Sequence, residues 1–309
     1  MATGVDERMT SKTGRPLRRR ITKLLARLLL GGSRAHYHSW LPSLSIVGRE
    51  AGAPGTVRFR GAHEISLRSS DMLAERAGDR IVIIGSGPSV NSVELARLPS
   101  KSSILLNGAI GLVGEKIAMP LAIAIEDERF IWRHFDMIRD RLAIDVPCLF
   151  SPGVLRALYE IDKGWLTGRQ VVLIDDIRKP YGAPCRRDAD LRQLDFVTLS
   201  ADGKAGFSTA PDRGVFQGGS VVISALQFAL ASPARHIGLV GIDISNADAP
   251  RFYEKKGSMA FSGIAGAEAR ILAHIALAKE VAERNGVELV NHSAVSALRS
   301  IGLEYVSFD

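Results

Sequence analysis

Cysteine is nearly absent from this 309-residue chain: Cys148 and Cys185 are the only two. That is too few for a disulfide framework or a Cys-rich zinc site, and it points to a reducing compartment. Aromatic residues make up only 6% of the chain, so a core has to be built from aliphatic side chains. No apolar run approaches the ~20 residues that span a bilayer. What is present is ordinary for a folded protein. With 46% hydrophobic and 24% charged residues, the composition excludes a disordered or fibrous chain, and the length allows one large domain or two modest ones.

Charge is unevenly placed. Residues 1–34 hold nine Lys or Arg against Asp6 and Glu7, which accounts for the whole formal charge of +7. The remainder of the chain is neutral. A nucleic-acid-binding domain carries its excess across a folded face, so nucleic acid is not an expected partner.

Within that basic segment, Leu17, Ile21, Leu24, Leu25 and Leu28 recur at helical spacing among Arg18, Arg19, Arg20, Lys23 and Arg27. Pro16 and Gly31-Gly32 supply start and stop signals. The pattern predicts a basic amphipathic arm over residues 1–34, with residues 17–30 suited to an anionic membrane surface or to packing on the domain with a solvated basic face. Arg27 breaks the apolar stretch that a secretory signal requires. The expectation is a cytoplasmic protein held peripherally at the inner membrane. Residues 35–78 have weak periodicity and read as a linker with minor β structure, including the alternation in Val57 to Ile65.

From residue 79 to 309 the pattern is α/β: a Rossmann-like, mostly parallel sheet flanked by helices. Ile81 to Ile84 is a β-branched run of the kind buried in a parallel sheet. It ends in Gly85-Ser86-Gly87-Pro88-Ser89, where two glycines allow a sharp turn and a close backbone approach to phosphate. A helix over Val93 to Leu98 is expected next, capped by Ser89 or Asn91. The third glycine of the dinucleotide fingerprint is missing, as is the Lys-Ser/Thr of a P-loop; a plain strand-to-helix turn is the other reading.

Ser103 to Leu106 leads into Asn107, and Leu121 to Ile125 leads into Glu126-Asp127-Glu128. Polar residues at the carboxyl ends of parallel strands stand where such sheets bind ligands. Val146 to Phe150 and Gln170 to Ile174 are further strands; Asp175-Asp176 after them read as a turn with side chains on opposite faces. Residues 177–214 carry no periodicity and read as a long loop or lid. Gly218-Gly219-Ser220 precedes an apolar helix over Val221 to Ala231, either as an anion site or to let that helix pack closely. His236 to Val240 closes on Gly241-Ile242-Asp243. Ala265 to Arg284 is a long helix on which His274 reads as a packed or solvated residue. A last strand, Val287 to Val290, ends near His292, which among the seven histidines has the best position for function.

Taken in order, strand-G-x-G-P-S with Arg97-Leu98-Pro99, Asn107, Gly218-Gly219-Ser220 and Gly241-Ile242-Asp243 resemble the bacterial sialyltransferases of glycosyltransferase family 42. The wider group includes motility accessory factors and 6-hydroxymethylpterin pyrophosphokinase-like proteins. The likeness covers about residues 79–300. It implies that Gly85, Ser86, Gly87, Pro88, Ser89 and Asn107 hold the CMP part of a nucleotide-sugar donor, and that Gly218, Gly219 and Ser220 complete the pocket. No metal and no cofactor are implied beyond that donor, whose sugar would be sialic acid or Kdo.

The family's general-base histidine has no counterpart in Gly257 to Gly263. Asp243, Glu126, Asp127 and His292 are the alternatives for removing the acceptor proton, and Arg251 and Tyr253 are placed to neutralise the leaving phosphate. The implied activity is transfer from a CMP-sugar to a bacterial surface glycan or lipopolysaccharide acceptor, glycan or lipid-linked. A magnesium-dependent pterin pyrophosphokinase, needing Glu126, Asp127 and Asp243 to converge, and a non-catalytic assembly protein are the competing readings.

Overall fold

A computed structural model describes residues 14–49, 53–244, 252 and 265–308. The chain opens with α1 (Leu17–Arg34) and three short strands, β1 (Leu44–Val47), β2 (Thr56–Phe59) and β3 (His63–Arg68), followed by the turn-length α2 (Asp71–Ala74). The repeating part contains β4 (Arg80–Ile84), β5 (Ser103–Leu106), β6 (Ala122–Ile125), α3 (Glu128–Arg141), β7 (Cys148–Phe150), α4 (Pro152–Ile161) and β8 (Val171–Leu173). Then come α5 (Asp188–Leu191), β9 (Val197–Leu199), β10 (Gly206–Ser208), α6 (Val221–Leu230), β11 (His236–Val240), α7 (Glu268–Arg284) and β12 (Glu288–Asn291).

Among the described residues, ten strands form one sheet in the order β1-β2-β3-β8-β7-β6-β5-β4-β11-β12. Every pairing from β3 to β12 is parallel, while β1, β2 and β3 form an antiparallel meander at one end. The expected mostly parallel α/β architecture is what the chain adopts. Its apolar strands are explained by burial on both faces. Ile81 and Ile83 belong to the core beneath α6 and α7, and Val82 and Ile84 to the core beneath α3 and α4.

Three stretches differ from their reading in the sequence. Residues 35–78 hold the minor β structure expected around Val57 to Ile65, but it is part of the main sheet. Val57, Phe59, Ile65 and Leu67 are buried, and Leu67 pairs with Val171, so the meander extends the main sheet; strands this short, with Arg58 and Glu64 on the outer face, carry little periodic signal. Residues 177–214 are not a patternless loop. They hold α5 and the β9–β10 hairpin, and they bury Ile177, Leu191, Phe196 and Phe207; these apolar residues stand 14, 5 and 11 positions apart, with neither a helical nor a strand period. The helix expected over Val93 to Leu98 is replaced by two 3-10 turns, Pro88–Ser92 and Leu95–Arg97, because the loop folds tightly against its neighbour.

Candidate functional site

The strand order reverses direction between β4 and β11, the crevice at which open α/β sheets bind ligands. Here that crevice is closed by the protein's own backbone. Gly85 N–H donates to the Val240 carbonyl (2.8 Å) and Gly87 N–H to the Gly241 carbonyl (3.0 Å). A Cβ on Gly85 would lie 2.4 Å from the Gly241 oxygen, and one on Gly87 would lie 2.5 Å from Asp243 Oδ2. The two glycines therefore let two strand-end turns touch, and their amides are already used. Pro88 starts the 3-10 turn, and the Ser86 carbonyl accepts from Phe252 N–H at 3.4 Å.

Ser89 completes the closure. Its amide donates to Asp243 Oδ2 (2.7 Å) and its hydroxyl to Oδ1 (2.5 Å). Burial raises the Asp243 pKa, with the two Ser89 hydrogen bonds opposing it. Both carboxylate oxygens are thus held by the loop, and Asp243 clasps the two strand-end turns together. His292 is also engaged away from the cleft: Nδ1 lies 2.8 Å from the Val306 carbonyl and the ring meets Phe308 edge-on at 4.9 Å. Arg251 and Tyr253 lie outside the described residues, as does Gly257 to Gly263.

The open site is a cleft of about 690 Å³ displaced along the sheet, over the carboxyl ends of β5 to β8. Asn107 follows β5, Glu126 and Asp127 follow β6, Ser151 follows β7, and Asp175 and Asp176 follow β8; all line it. Gly218, Gly219 and Ser220 form the opposite wall. So Asn107, Glu126, Asp127 and the Gly218 turn come together, whereas residues 85–89, Asp243 and His292 are not part of the described lining. Glu126, Asp127 and Asp243 do not converge on one point. Among the described residues, no three His, Cys, Asp or Glu side chains are grouped to hold a metal ion.

The carboxylates in the cleft have separate characters. Asp127 caps α3, accepting from Arg129 N–H at 2.9 Å and pairing with the Arg129 side chain. Burial acts against its ionisation, yet Arg129 and Arg15 together hold its pKa below the usual carboxylate value. Glu126 has the opposite environment. Burial, reinforced by Asp176 and Asp127 and opposed by a Ser224 hydrogen bond, pushes its pKa up to about 8. Asp176 is raised too, by burial against backbone hydrogen bonds from Arg178 and Lys179. At neutral pH Glu126 is therefore a protonated hydrogen-bond donor. Its Oε1 and the Oδ1 of Asn107 are buried and have no hydrogen-bond partner among the described residues. Asn107 is also held at φ +47°, in the left-handed region.

On the facing wall, Gly218 and Gly219 have φ of +55° and +98°, conformations that favour glycine. They lead into the ten-residue α6, whose first-turn amides project toward the cleft end of the helix. Gln227 fixes this turn: Oε1 accepts from Ser208 and Phe216 amides at 3.0 Å, and Nε2 donates to the Phe216 and Ile223 carbonyls at 2.8 Å. Arg270 Nε donates to the Gly218 carbonyl at 3.1 Å. Arg178, Lys179 and Lys204 add positive charge around the same wall.

His274 is a packed residue of α7, one of the two readings the sequence allowed, and it also belongs to the site. It lines the cleft, and Nδ1 is 2.8 Å from the Arg270 carbonyl. A carbonyl only accepts, so Nδ1 carries the proton and Nε2 is the basic nitrogen. Burial lowers its pKa, which keeps the ring neutral. Its only sequence signal is a spacing on α7 that matches the buried Ile271, Ile275 and Ala278. Arg15, His36 and His38 also line the cleft, and burial, aided by Arg19, Lys23 and Arg15, lowers the His38 pKa to about 4. Their place 88 to 111 positions before Glu126 hides them from local reading.

No protein-family model and no curated protein matches the chain. Among solved structures it is similar to the sialyltransferase CstII from Campylobacter jejuni in complex with a substrate analogue, cytidine-5'-monophosphate, at 15% identity over 72% of this chain and 84% of that one, with a TM-score of 0.34. A Tyr-to-Phe variant of sialyltransferase Cst-II in complex with CMP matches at 14% identity over the same shares, with a TM-score of 0.38. At these values the superposition is loose, and no residue role passes from those enzymes to this chain.

Proposed function

We propose that this chain transfers a sugar, sialic acid or Kdo, from a CMP-activated donor to a hydroxyl of a bacterial surface glycan or lipopolysaccharide acceptor. The observation that carries the reading is the pair of buried polar atoms, Asn107 Oδ1 and Glu126 Oε1, that have no partner among the described residues and stand at adjacent strand ends in one cleft. Buried polar atoms normally have partners, so a ligand bearing several donors and acceptors is expected to meet them. The cleft volume suits a nucleotide-sugar, and the α6 N-terminus with Arg178, Lys179, Lys204 and Arg270 suits its phosphate. Of the motifs whose order resembles CMP-sugar-using enzymes, Asn107 and the Gly218 turn lie in this cleft and support the choice of CMP.

In the transfer, the bond between the anomeric carbon and the phosphate oxygen breaks as the acceptor oxygen attacks. The acceptor proton passes to a base and the charge of the leaving phosphate to the cations. Glu126 is protonated and Asp127 is paired with arginine, so neither is a good base. His274 Nε2 takes that role, and Glu126 donates a hydrogen bond to the bound donor. Isothermal titration with CMP, UMP and CMP-sugars tests the reading. Binding of the cytidine nucleotides in preference to UMP is expected; no heat with any cytidine nucleotide at millimolar concentration overturns it.

A further inference from the structure

The helix α1 meets the protein with its polar side and turns its apolar side outward. At 100° per residue, Leu17, Ile21, Leu24, Leu25 and Leu28 fall within an arc of roughly 100°, and they are 49–69% exposed. Arg19, Thr22 and Ala26 lie on the opposite arc and are buried or half-buried. Arg19 Nε is 3.1 Å from Glu128 Oε2, and Arg15 Nε is 2.6 Å from Glu128 Oε1. Arg18 pairs with Glu160 on α4 at 2.7 Å. Three arginines therefore tether the helix through ion pairs, while its leucines face away from the described part of the protein. An amphipathic helix that packs for stability does the reverse.

The flank beside the leucine arc carries Arg20, Lys23 and Arg27, all exposed. No acidic residue lies between Leu17 and Arg34, so two copies of α1 laid face to face would oppose like charges. An anionic surface complements them. The straight part, from Leu17 to Leu30 ahead of the turn at Gly31, is about 21 Å long at 1.5 Å per residue, which suits a helix lying in a headgroup plane. No helix among the described residues is long and apolar enough to cross a membrane, so this mode is surface docking.

We infer that α1 is a lipid-docking helix, its leucine arc seated in the acyl boundary of an anionic bilayer and Arg20, Lys23 and Arg27 on the headgroups. Glu128, the residue it grips, is the first of α3 and lines the cleft beside Asp127. Docking therefore sets the cleft wall at a fixed orientation to the bilayer, with Arg15 belonging to both. This goes beyond the sugar-transfer reading and does not depend on it.

The test is co-sedimentation of the full chain with vesicles of phosphatidylcholine, with and without phosphatidylglycerol, alongside its mass in solution by light scattering. Binding to the anionic vesicles is expected, and it should weaken with salt. L24S/L28S should abolish it, and R20Q/K23Q/R27Q should weaken it roughly a hundredfold, about fivefold per cation. Both variants alter exposed positions; unchanged melting and CMP titration separate a docking defect from misfolding and from failure of the donor reading. The inference is overturned if the chain stays in the supernatant with anionic vesicles. It is also overturned if L24S/L28S binds them as the parent does, or if the parent is a dimer that L24S/L28S converts to a monomer.

Discussion

Ser89 donates both its amide and its hydroxyl to the two carboxylate oxygens of Asp243, at 2.7 and 2.5 Å. This clasp joins the turn after β4 to the turn after β11 and gives a strand-end carboxylate a structural task. Asp243→Ala is expected to lower stability by about 1.5–3 kcal/mol, the scale of hydrogen bonds to a charged group. Urea denaturation of Asp243→Ala, Ser89→Ala and the double variant should show strong coupling. If Asp243 were instead the base, turnover by the folded Asp243→Asn protein would fall by about 10²–10⁴, a loss not expected here.

Glu126 gives the protein a distinctive pH response. Its pKa rises from 4.5 in the unfolded chain to about 8 in the fold. Below 4.5 both states hold the proton and the contribution is complete; as pH rises toward 8 the unfolded state releases it first and stability declines. Glu126→Gln keeps a neutral donor and acceptor without this titration. Thermal melts from acid to mildly alkaline pH should show the parent losing ground to Glu126→Gln across that window, and CMP binding to the parent should weaken as Glu126 ionises. Parallel melting curves at every pH would contradict the assignment.

Asn107 combines a left-handed backbone with a buried side-chain oxygen that has no partner among the described residues. Neither is a stabilising arrangement for an asparagine without a ligand. Asn107→Gly relieves both, so the variant should melt no lower than the parent while losing most of its affinity for a cytidine nucleotide. A stable variant with parental affinity would remove Asn107 from the site.

Glu128 is the anion that receives Arg15 and the fully buried Arg19. Removing one partner of a buried pair strands the other, at a cost of about 3–5 kcal/mol. Glu128→Ala should therefore destabilise the protein by that order, and proteolysis should cut first around α1. The doubly substituted Arg19→Met, Glu128→Leu protein should recover much of the loss. Equal stability of Glu128→Ala and parent by denaturant titration would show that α1 is held by other contacts.

The alternation of apolar runs and polar strand ends made the parallel sheet legible, because strands buried on both faces must be almost wholly aliphatic. Ile81 to Ile84, Ser103 to Leu106 and His236 to Val240 fall where the sequence places them. Of the meander at residues 44–68 only the alternation in Val57 to Ile65 was legible, because each strand is only four to six residues long and half solvated. Asn107, Glu126 and the Gly218 turn were also readable as positions at strand and helix ends, where such sheets bind ligands.

What sequence alone determined is the architecture and the two-sided character of α1: periodicity is local, and the five leucine and isoleucine positions of its apolar arc cannot change face without changing the helix, whereas the ion pairs to Glu128 and Glu160 decided which side faces outward. Which residues share a cleft was decided only by the tertiary structure. The Gly85 loop has the composition of a phosphate cradle, yet its Gly85 and Gly87 amides are spent on the carbonyls of Val240 and Gly241, more than 150 positions away. Likewise Asp243 and Glu126 look alike as carboxylates after buried strands. Two Ser89 hydrogen bonds hold the first, burial beside Asp176 neutralises the second, and both environments come from long-range packing that no local pattern encodes.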